Sequence, residues 1–216
     1  MPRYDLALFD FDGTLADSFP WFWKMLPEII VEFRLKPLDA TRRDEYRQLS
    51  ARAIMAEVGI RWWRVPAIAR YFRRRMTQEI HTIALFDGIR DMLHRLHAAG
   101  VRIAIVSSNT EANVRHVLGT ETSACIDHFG CGAPVLGKRR KTLRAIRHAG
   151  TSPQRTLCIG DEIRDVDVAR AIGADFAGVS WGYTLPAALA AATEAPLLDS
   201  PANIEARVLA GPDIRA

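Results

Sequence analysis

The sequence predicts an α/β fold with a Rossmann-like, mostly parallel sheet flanked by helices and an inserted all-helical cap domain. Three observations support this prediction. From Asp87 onward, short apolar runs alternate with amphipathic segments, which is typical of a parallel sheet covered by helices. A helical stretch between Ser18 and Ala84 interrupts this alternation directly after the first apolar run. Glycines stand where three helices should end: Gly100, Gly150 and Gly173.

The elements follow in order along the chain. A strand is predicted at Tyr4–Phe9, and the helical stretch after it is predicted to break near Pro27, Pro37, Gly59 and Pro66. Beyond the insertion, helices are predicted at 88–99, after 109, at 138–149 and at 163–172. The remaining strands are predicted at 101–106, 126–131 (a weak run), 156–160, 175–180 and 196–199.

Length and composition set the domain organisation. With 216 residues and 49% hydrophobic content, the chain is long enough for one full domain and a modest second unit. We therefore predict a core domain formed by residues 1–17 and 85–216 and a helical cap formed by residues 18–84. The cap segment carries 13 Lys and Arg against 7 Asp and Glu, whereas the rest carries 16 against 18. Such a basic surface attracts nucleic acid, membrane phosphates or small anionic substrates.

Targeting signals and cysteine usage indicate the compartment. The N-terminus enters an apolar run without a basic leader, and no apolar stretch approaches the roughly 20 residues of a membrane helix. The three cysteines form no CxxC pair and are odd in number, which favours reduced thiols. We therefore expect a cytoplasmic protein that has no membrane partner.

Polar residues collect at the predicted strand ends. In a parallel α/β sheet, ligands bind outside the carboxyl ends of the strands, so residues from distant positions should face one crevice. Lys138, at the start of a helix, should face the same crevice. The residues at the strand ends are Asp10, Asp12, Ser107, Ser108, Asn109, Asp161, Glu162 and Asp165.

This set of side chains suits phosphoryl transfer. Asp10 can attack phosphorus as a carboxylate nucleophile, and Asp12 can donate a proton to the leaving oxygen and then activate water. Asp161 and Asp10 offer hard oxygen ligands for Mg²⁺. Ser107 and nearby N–H groups, in the segment that includes Ser108 and Asn109, can hold phosphate oxygens. Lys138 can stabilise negative charge.

The same residues resemble a known family. DFDGT at 10–14, the apolar run ending in Ser107, Lys138 in GKRRK and GDEIRD at 160–165 resemble the four motifs of the haloacid dehalogenase-like phosphohydrolases, in their usual order. The resemblance implies that Asp10 is the nucleophile and Asp12 the acid and base. It also implies that Mg²⁺ is held by Asp10, the Asp12 backbone carbonyl and Asp161, and that Asp165 supports the metal site or Lys138.

Details of the motifs indicate which activities and which subgroup within this family the chain resembles. Asp12 argues against dehalogenation, which needs no acid for its leaving group, so a phosphatase or a phosphomutase remains. The WGY at 181–183 and the chain length look like the phosphoglycolate phosphatase-like members, which indicates a subgroup and not a particular substrate. We expect the substrate to be a small phosphorylated metabolite, phosphoglycolate-like or a similar phosphomonoester. GKRRK departs from the commoner GKP form, which makes Lys141 a rival to Lys138; we favour Lys138 because it follows Gly137 directly.

Two alternatives concern the basic segment. A non-catalytic nucleic-acid-binding module would use arginines such as Arg73, Arg74 and Arg75, but it would leave the four motifs without a purpose, so we do not expect a nucleic-acid partner. Arginines in the cap are also candidates for binding a carboxylate or second phosphate of the substrate, although a solvated surface is the favoured interpretation of each: Arg52, Arg61 and Arg64. The oligomeric state stays open.

Overall fold

A five-stranded parallel sheet forms the body of the molecule. The computed structural model describes residues 2–49, 51–132, 137–193 and 195–210. The strands follow the order β3-β2-β1-β4-β5 across the sheet, and every neighbouring pair is parallel. The α/β fold class is therefore confirmed. The strands are β1 (Leu6–Phe9), β2 (Arg102–Ile105), β3 (His128–Phe129), β4 (Thr156–Gly160) and β5 (Asp175–Gly178).

The register of the sheet places the ends of its three central strands side by side. Phe9 at the end of β1 pairs with Ile105 of β2 and with Ile159 of β4. The segments that follow these three strands therefore leave the sheet at one edge, as the rule for parallel sheets requires.

Both faces of the sheet are covered by helices, and each face forms an apolar cluster. Successive side chains of a strand point to opposite faces, so one strand contributes to both clusters. Ala7 and Phe9 of β1 belong to the larger apolar cluster, whereas Leu6 and Leu8 belong to the smaller one. The larger cluster includes residues of α5 (Ile89–Ala98), α6 (Glu111–Ala124) and α10 (Pro201–Leu209), and the smaller includes residues of α7 (Lys138–His148) and α8 (Ile163–Ile172). A short helix, α9 (Pro186–Ala192), lies between β5 and α10.

Between β1 and β2 the chain forms the helical insert, a name we use for residues 18–84. Its helices are α1 (Phe19–Glu32), α2 (Arg43–Tyr46), α3 (Ala51–Glu57) and α4 (Val65–Gln78). The two connections to the body run side by side: Asp17 N–H donates to the Ala84 carbonyl at 2.9 Å, and Phe86 N–H donates to the Leu15 carbonyl at 3.0 Å.

The break predicted at Pro27 is wrong, because α1 continues through that residue. An interior proline costs about 3 kcal/mol through its missing N–H and its clash with the preceding turn. Trp21, Met25 and Ile29 of the same helix are buried in the larger cluster. Burying side chains of this size is worth about 1.5–3 kcal/mol each, so packing outweighs the proline. Pro66 lies in the first turn of α4, where proline is tolerated, and so starts that helix.

The last predicted strand, at 196–199, is also wrong in extent. Leu198 forms one isolated parallel bridge with Val179, and the residues described around it form no strand. Pro196 has no N–H for a sheet ladder, and Ser200 already caps α10 by accepting the Asn203 N–H. Between these two positions Leu198 pairs with the sheet: its N–H donates to the Gly178 carbonyl at 2.8 Å, and its carbonyl accepts the Ser180 N–H at 3.0 Å. Among the described residues, no helix is long and apolar enough to cross a membrane.

Candidate active site

Lys138 and two aspartates form a buried ion-pair cluster where β1 ends. The Lys138 Nζ lies 2.6 Å from Asp10 Oδ2 and 2.6 Å from Asp165 Oδ1. Burial alone would lower the pKa of Lys138, but the charges of Asp10 and Asp165 outweigh it and raise that pKa. The ammonium is therefore charged and holds the two carboxylates. The other oxygen of Asp10, Oδ1, accepts the Phe11 N–H at 2.8 Å.

The two candidate lysines are separated by their surroundings. Lys138 is buried, and its ammonium faces Asp10. Lys141 lies one helical turn further along α7, and its Nζ donates to the Cys131 carbonyl. Burial lowers the pKa of Lys141, and the nearby Arg140 and Arg144 add to that effect. The geometry thus favours Lys138 as the lysine of the site.

Asp161 is held from both sides by hydrogen bonds. Its Oδ1 accepts the Thr14 hydroxyl at 2.7 Å, and its Oδ2 accepts the Tyr183 N–H at 2.7 Å. The side chain is fully buried. Burial, followed by the charges of Glu162 and Asp10, raises the pKa of Asp161 well above its usual value. The two donors fix its orientation.

Glycine is required where the chain passes closest to Asp161. A Cβ at Gly13, whose φ is +81°, would stand 2.3 Å from Asp161 Oδ2. A Cβ at Gly182 would stand 2.1 Å from the Asp161 Cβ. Such distances leave no room for any side chain, so two separate segments close on this carboxylate as bare backbone.

Asp12 faces the segment that follows β2. Asn109 Nδ2 lies 3.3 Å from each of its oxygens, and the Ser107 hydroxyl donates to Oδ2 at 3.4 Å. Burial, and then the charge of Asp10, raises the pKa of Asp12 to about 6, while hydrogen bonds from Ser18 and Asn109 oppose the rise. A carboxyl with this pKa exchanges its proton near neutral pH, as a general acid and base must.

The ligand atoms of Asp10, Asp161 and Asp165 all lie within 4.8 Å of one another, and the three residues are buried. Glu162 and Asp12 add two more carboxyl groups, and among the described residues the cations that interact with this group of five are Lys138 and Arg164. Oxygen ligands in a buried site with excess negative charge fit Mg²⁺.

Three residues of the site lie outside the sequence-based candidates. Arg164 Nη2 lies 2.5 Å from Glu162 Oε1 and 3.9 Å from Asp10 Oδ2. Thr14 and Tyr183 hold Asp161, as described above. A sequence signal for each was present, because Thr14 lies in DFDGT, Arg164 in GDEIRD and Tyr183 in WGY. Their residue types alone did not indicate which side chains they contact.

Other predicted residues lie at the margin of the site or elsewhere. The Ser108 carbonyl accepts a weak 3.4 Å bond from Arg73 of the insert. Arg64 donates to the Phe33 carbonyl within the insert at 2.6 Å, and the Arg61 guanidinium lies over the Trp63 ring. Arg52 lies on the exposed surface of α3. These last three residues therefore do not join the carboxylate cluster.

The fold and this site define a hydrolase of phosphoric monoesters. Residues 7–179 match the haloacid dehalogenase-like hydrolase family, and the chain belongs to it, within the phosphoglycolate phosphatase-like subgroup. It is 30% identical over 198 residues to a phosphoglycolate phosphatase from Synechococcus elongatus, covering 91% of this chain and 93% of the relative. It is 28% identical to the N-acetylmuramic acid 6-phosphate phosphatase of Pseudomonas aeruginosa, with 85% of each chain covered.

A solved structure shares the fold. The haloacid dehalogenase-like hydrolase from Streptococcus pneumoniae superposes with a TM-score of 0.76 at 19% identity, covering 94% of this chain and 98% of that one. At this identity the likeness concerns the fold alone.

Proposed function

We propose that this enzyme is a Mg²⁺-dependent phosphatase that hydrolyses a small phosphorylated metabolite through a phospho-Asp10 intermediate. The observation that carries the proposal is the buried cluster of Asp10, Asp161 and Asp165, of which Asp10 and Asp165 pair with the Lys138 ammonium. Asp10 and Asp161, with the Asp12 backbone carbonyl, would hold the metal, and Asp165 would support Lys138. When bound, Mg²⁺ supplies positive charge that lowers repulsion between the carboxylates and the substrate phosphate.

The reaction then needs two transfers at phosphorus. A carboxylate oxygen of Asp10 attacks phosphorus, the bond to the leaving oxygen breaks, and Asp12 gives that oxygen its proton. Asp12 next takes a proton from water, the water oxygen attacks phosphorus, and the bond to Asp10 breaks to release phosphate. Lys138, beside Asp10, stabilises the charge that develops on the phosphoryl oxygens.

The insert would act as a cap that limits substrate size and excludes water. Its basic arginines are partly used within the protein: Arg75 pairs with Glu28 at 2.8 Å, Arg74 lies over the Tyr71 ring, and Arg73 reaches the Ser108 carbonyl. This use argues against a nucleic-acid surface formed by these three residues. The names of the relatives favour phosphoglycolate or a similar small phosphomonoester, including sugar phosphates.

Hydrolysis of a generic aryl phosphate tests the proposal. We expect Mg²⁺-dependent phosphate release that EDTA abolishes, and a mass gain of one phosphoryl group on Asp10 in acid-quenched enzyme. Asp10→Asn should lose the activity, whereas Asp91→Asn on the exposed side of α5 should retain it. Wild-type activity of the Asp10→Asn protein would refute the mechanism. A metabolite panel scored for both phosphate and isomerised sugar phosphate would identify the substrate and separate a phosphatase from a phosphomutase.

A further inference from the structure

The loop formed by residues 181–185, between β5 and α9, holds Asp161 with its main chain. The Tyr183 N–H donates to Asp161 Oδ2 at 2.7 Å. Gly182 packs so closely on the same side chain that no Cβ fits there. The Trp181 indole N–H donates to the Thr14 carbonyl at 3.1 Å, next to the hydroxyl that holds the other oxygen of Asp161. The position of this loop therefore sets the position of Asp161.

Arg47, at the C-terminal end of α2, joins the insert to this loop. Its Nη2 donates to the Gly182 carbonyl at 2.8 Å, and its Nε donates to the Tyr183 carbonyl at 3.0 Å. Its own carbonyl accepts the Leu185 N–H at 3.0 Å. One residue of the insert thus makes three hydrogen bonds to a loop more than 130 positions away in the chain.

Aromatic packing supports the same junction. The Arg47 guanidinium lies 4.9 Å from the centroid of the Phe19 ring, and that ring packs against Tyr183 at 5.1 Å. Phe22, one turn along α1, also contacts the Tyr183 ring, at 5.4 Å. The Tyr183 hydroxyl lies 2.9 Å from the Ser18 hydroxyl at the start of α1. Both the side chain of Tyr183 and the loop carbonyls therefore depend on where the insert sits.

We propose that Arg47 is a positioning residue that couples the seating of the insert to metal affinity at Asp161. The inference rests on the Mg²⁺ site of the proposed function. The planar guanidinium donates to the Gly182 and Tyr183 carbonyls at once. It thereby fixes the Gly182–Tyr183 peptide, whose N–H holds Asp161. If the insert moves away, these bonds break and Asp161 loses a fixed donor. Mg²⁺ is therefore held most tightly when the insert is seated.

Calorimetric titration of the metal-free, full-length protein with Mg²⁺ tests this coupling. Groups that orient metal ligands affect affinity by about 10- to 100-fold. Because Arg47 acts through the loop, we expect Arg47→Ala to weaken Mg²⁺ binding by about 10-fold, at the low end of that range. Arg47→Lys should recover part of the loss, since one ammonium reaches one carbonyl. At saturating Mg²⁺, kcat of both variants should return toward the wild-type value.

Arg43→Ala is the matched control. The Arg43 guanidinium lies over the same Phe19 ring, at 4.8 Å, and over Trp23. Within the described part of the chain it makes no hydrogen bond to the 181–185 loop, so Mg²⁺ affinity should stay within about twofold of wild type.

The possible outcomes distinguish a failure of the Arg47 coupling from a failure of the proposed Mg²⁺ cofactor. Wild-type Mg²⁺ affinity in folded Arg47→Ala protein overturns the coupling, even if hydrolysis is slow. An equal loss in the Arg43→Ala and Arg47→Ala proteins also overturns it, because packing on Phe19 would then explain the effect. A wild-type protein that binds no Mg²⁺ refutes the proposed cofactor itself, and the coupling with it.

Discussion

Replacing each of the two candidate lysines by alanine tests which one serves the site. Lys138 and Lys141 lie on α7, three positions apart, so the two substitutions affect the same helix. The Lys138 ammonium lies 2.6 Å from both Asp10 and Asp165, whereas Lys141 donates to the Cys131 carbonyl. We therefore expect Lys138→Ala to lower both stability and kcat far more than Lys141→Ala does.

The burial of Lys138 sets how much stability the Lys138→Ala protein should lose. Removing one partner of a buried ion pair costs about 3–5 kcal/mol, because the remaining charge has no compensation. For a chain of this size that corresponds to a Tm about 6–20 °C lower. Burial already raises the pKa of Asp165, so protonation of that carboxyl should reduce the cost at lower pH. The loss of a fixed cation beside the reacting phosphate should lower kcat by about 10²–10³-fold.

Both effects are measurable on purified proteins. Thermal unfolding with EDTA present gives the stability change without a contribution from metal, and aryl phosphate hydrolysis with Mg²⁺ gives kcat. Lys141→Ala should stay within about 0.5 kcal/mol and about twofold in rate of the wild type. If Lys141→Ala abolished hydrolysis while Lys138→Ala retained it, the assignment of the site lysine would be refuted.

Two further predictions concern the surroundings of the carboxylates. Gly182→Ala would place its Cβ 2.1 Å from the Asp161 Cβ, so that side chain must move by about 1 Å, and kcat/KM should fall by about 10²-fold. The nearest atoms to the Cβ of Gly178→Ala would be those of the Leu197 and Leu189 side chains, away from the carboxylates, so it should lower Tm and leave kcat/KM near wild type; equal activity losses in both proteins would contradict this reasoning. Asp12→Asn tests the raised pKa of Asp12, which is about 6 in the native state and about 4 in the unfolded state. The protonated carboxyl therefore favours the native state fully below about pH 4, and this contribution to stability is lost as pH rises through 6. Without metal, the Asn protein should therefore gain up to about 3 kcal/mol over wild type at neutral pH but not at pH 4, and a difference independent of pH would exclude the effect.

Much of the fold could be predicted because its signals are local. The strand ends at Asp10, Ser107 and Asp161 follow from apolar runs of strand length, and parallel pairing then places them at one edge of the sheet. The two errors came from local signals that packing or hydrogen bonding overrides. Buried side chains keep α1 helical through Pro27, and the run at 196–199, which begins with a proline and is followed by the cap of α10, forms only one bridge, at Leu198.

The sequence by itself determined the order of the elements, the position of the inserted helices and the carboxylates, hydroxyls and lysines at the strand ends. Hydrophobic periodicity and motif spacing depend only on the order of residues along the chain, so they can be read from the sequence without a structure. Only the tertiary structure decided that Lys138 and not Lys141 meets Asp10, and that Arg47 holds the loop around Asp161. Those choices depend on which groups distant segments bring within hydrogen-bond distance after packing, and no local pattern encodes such a distance.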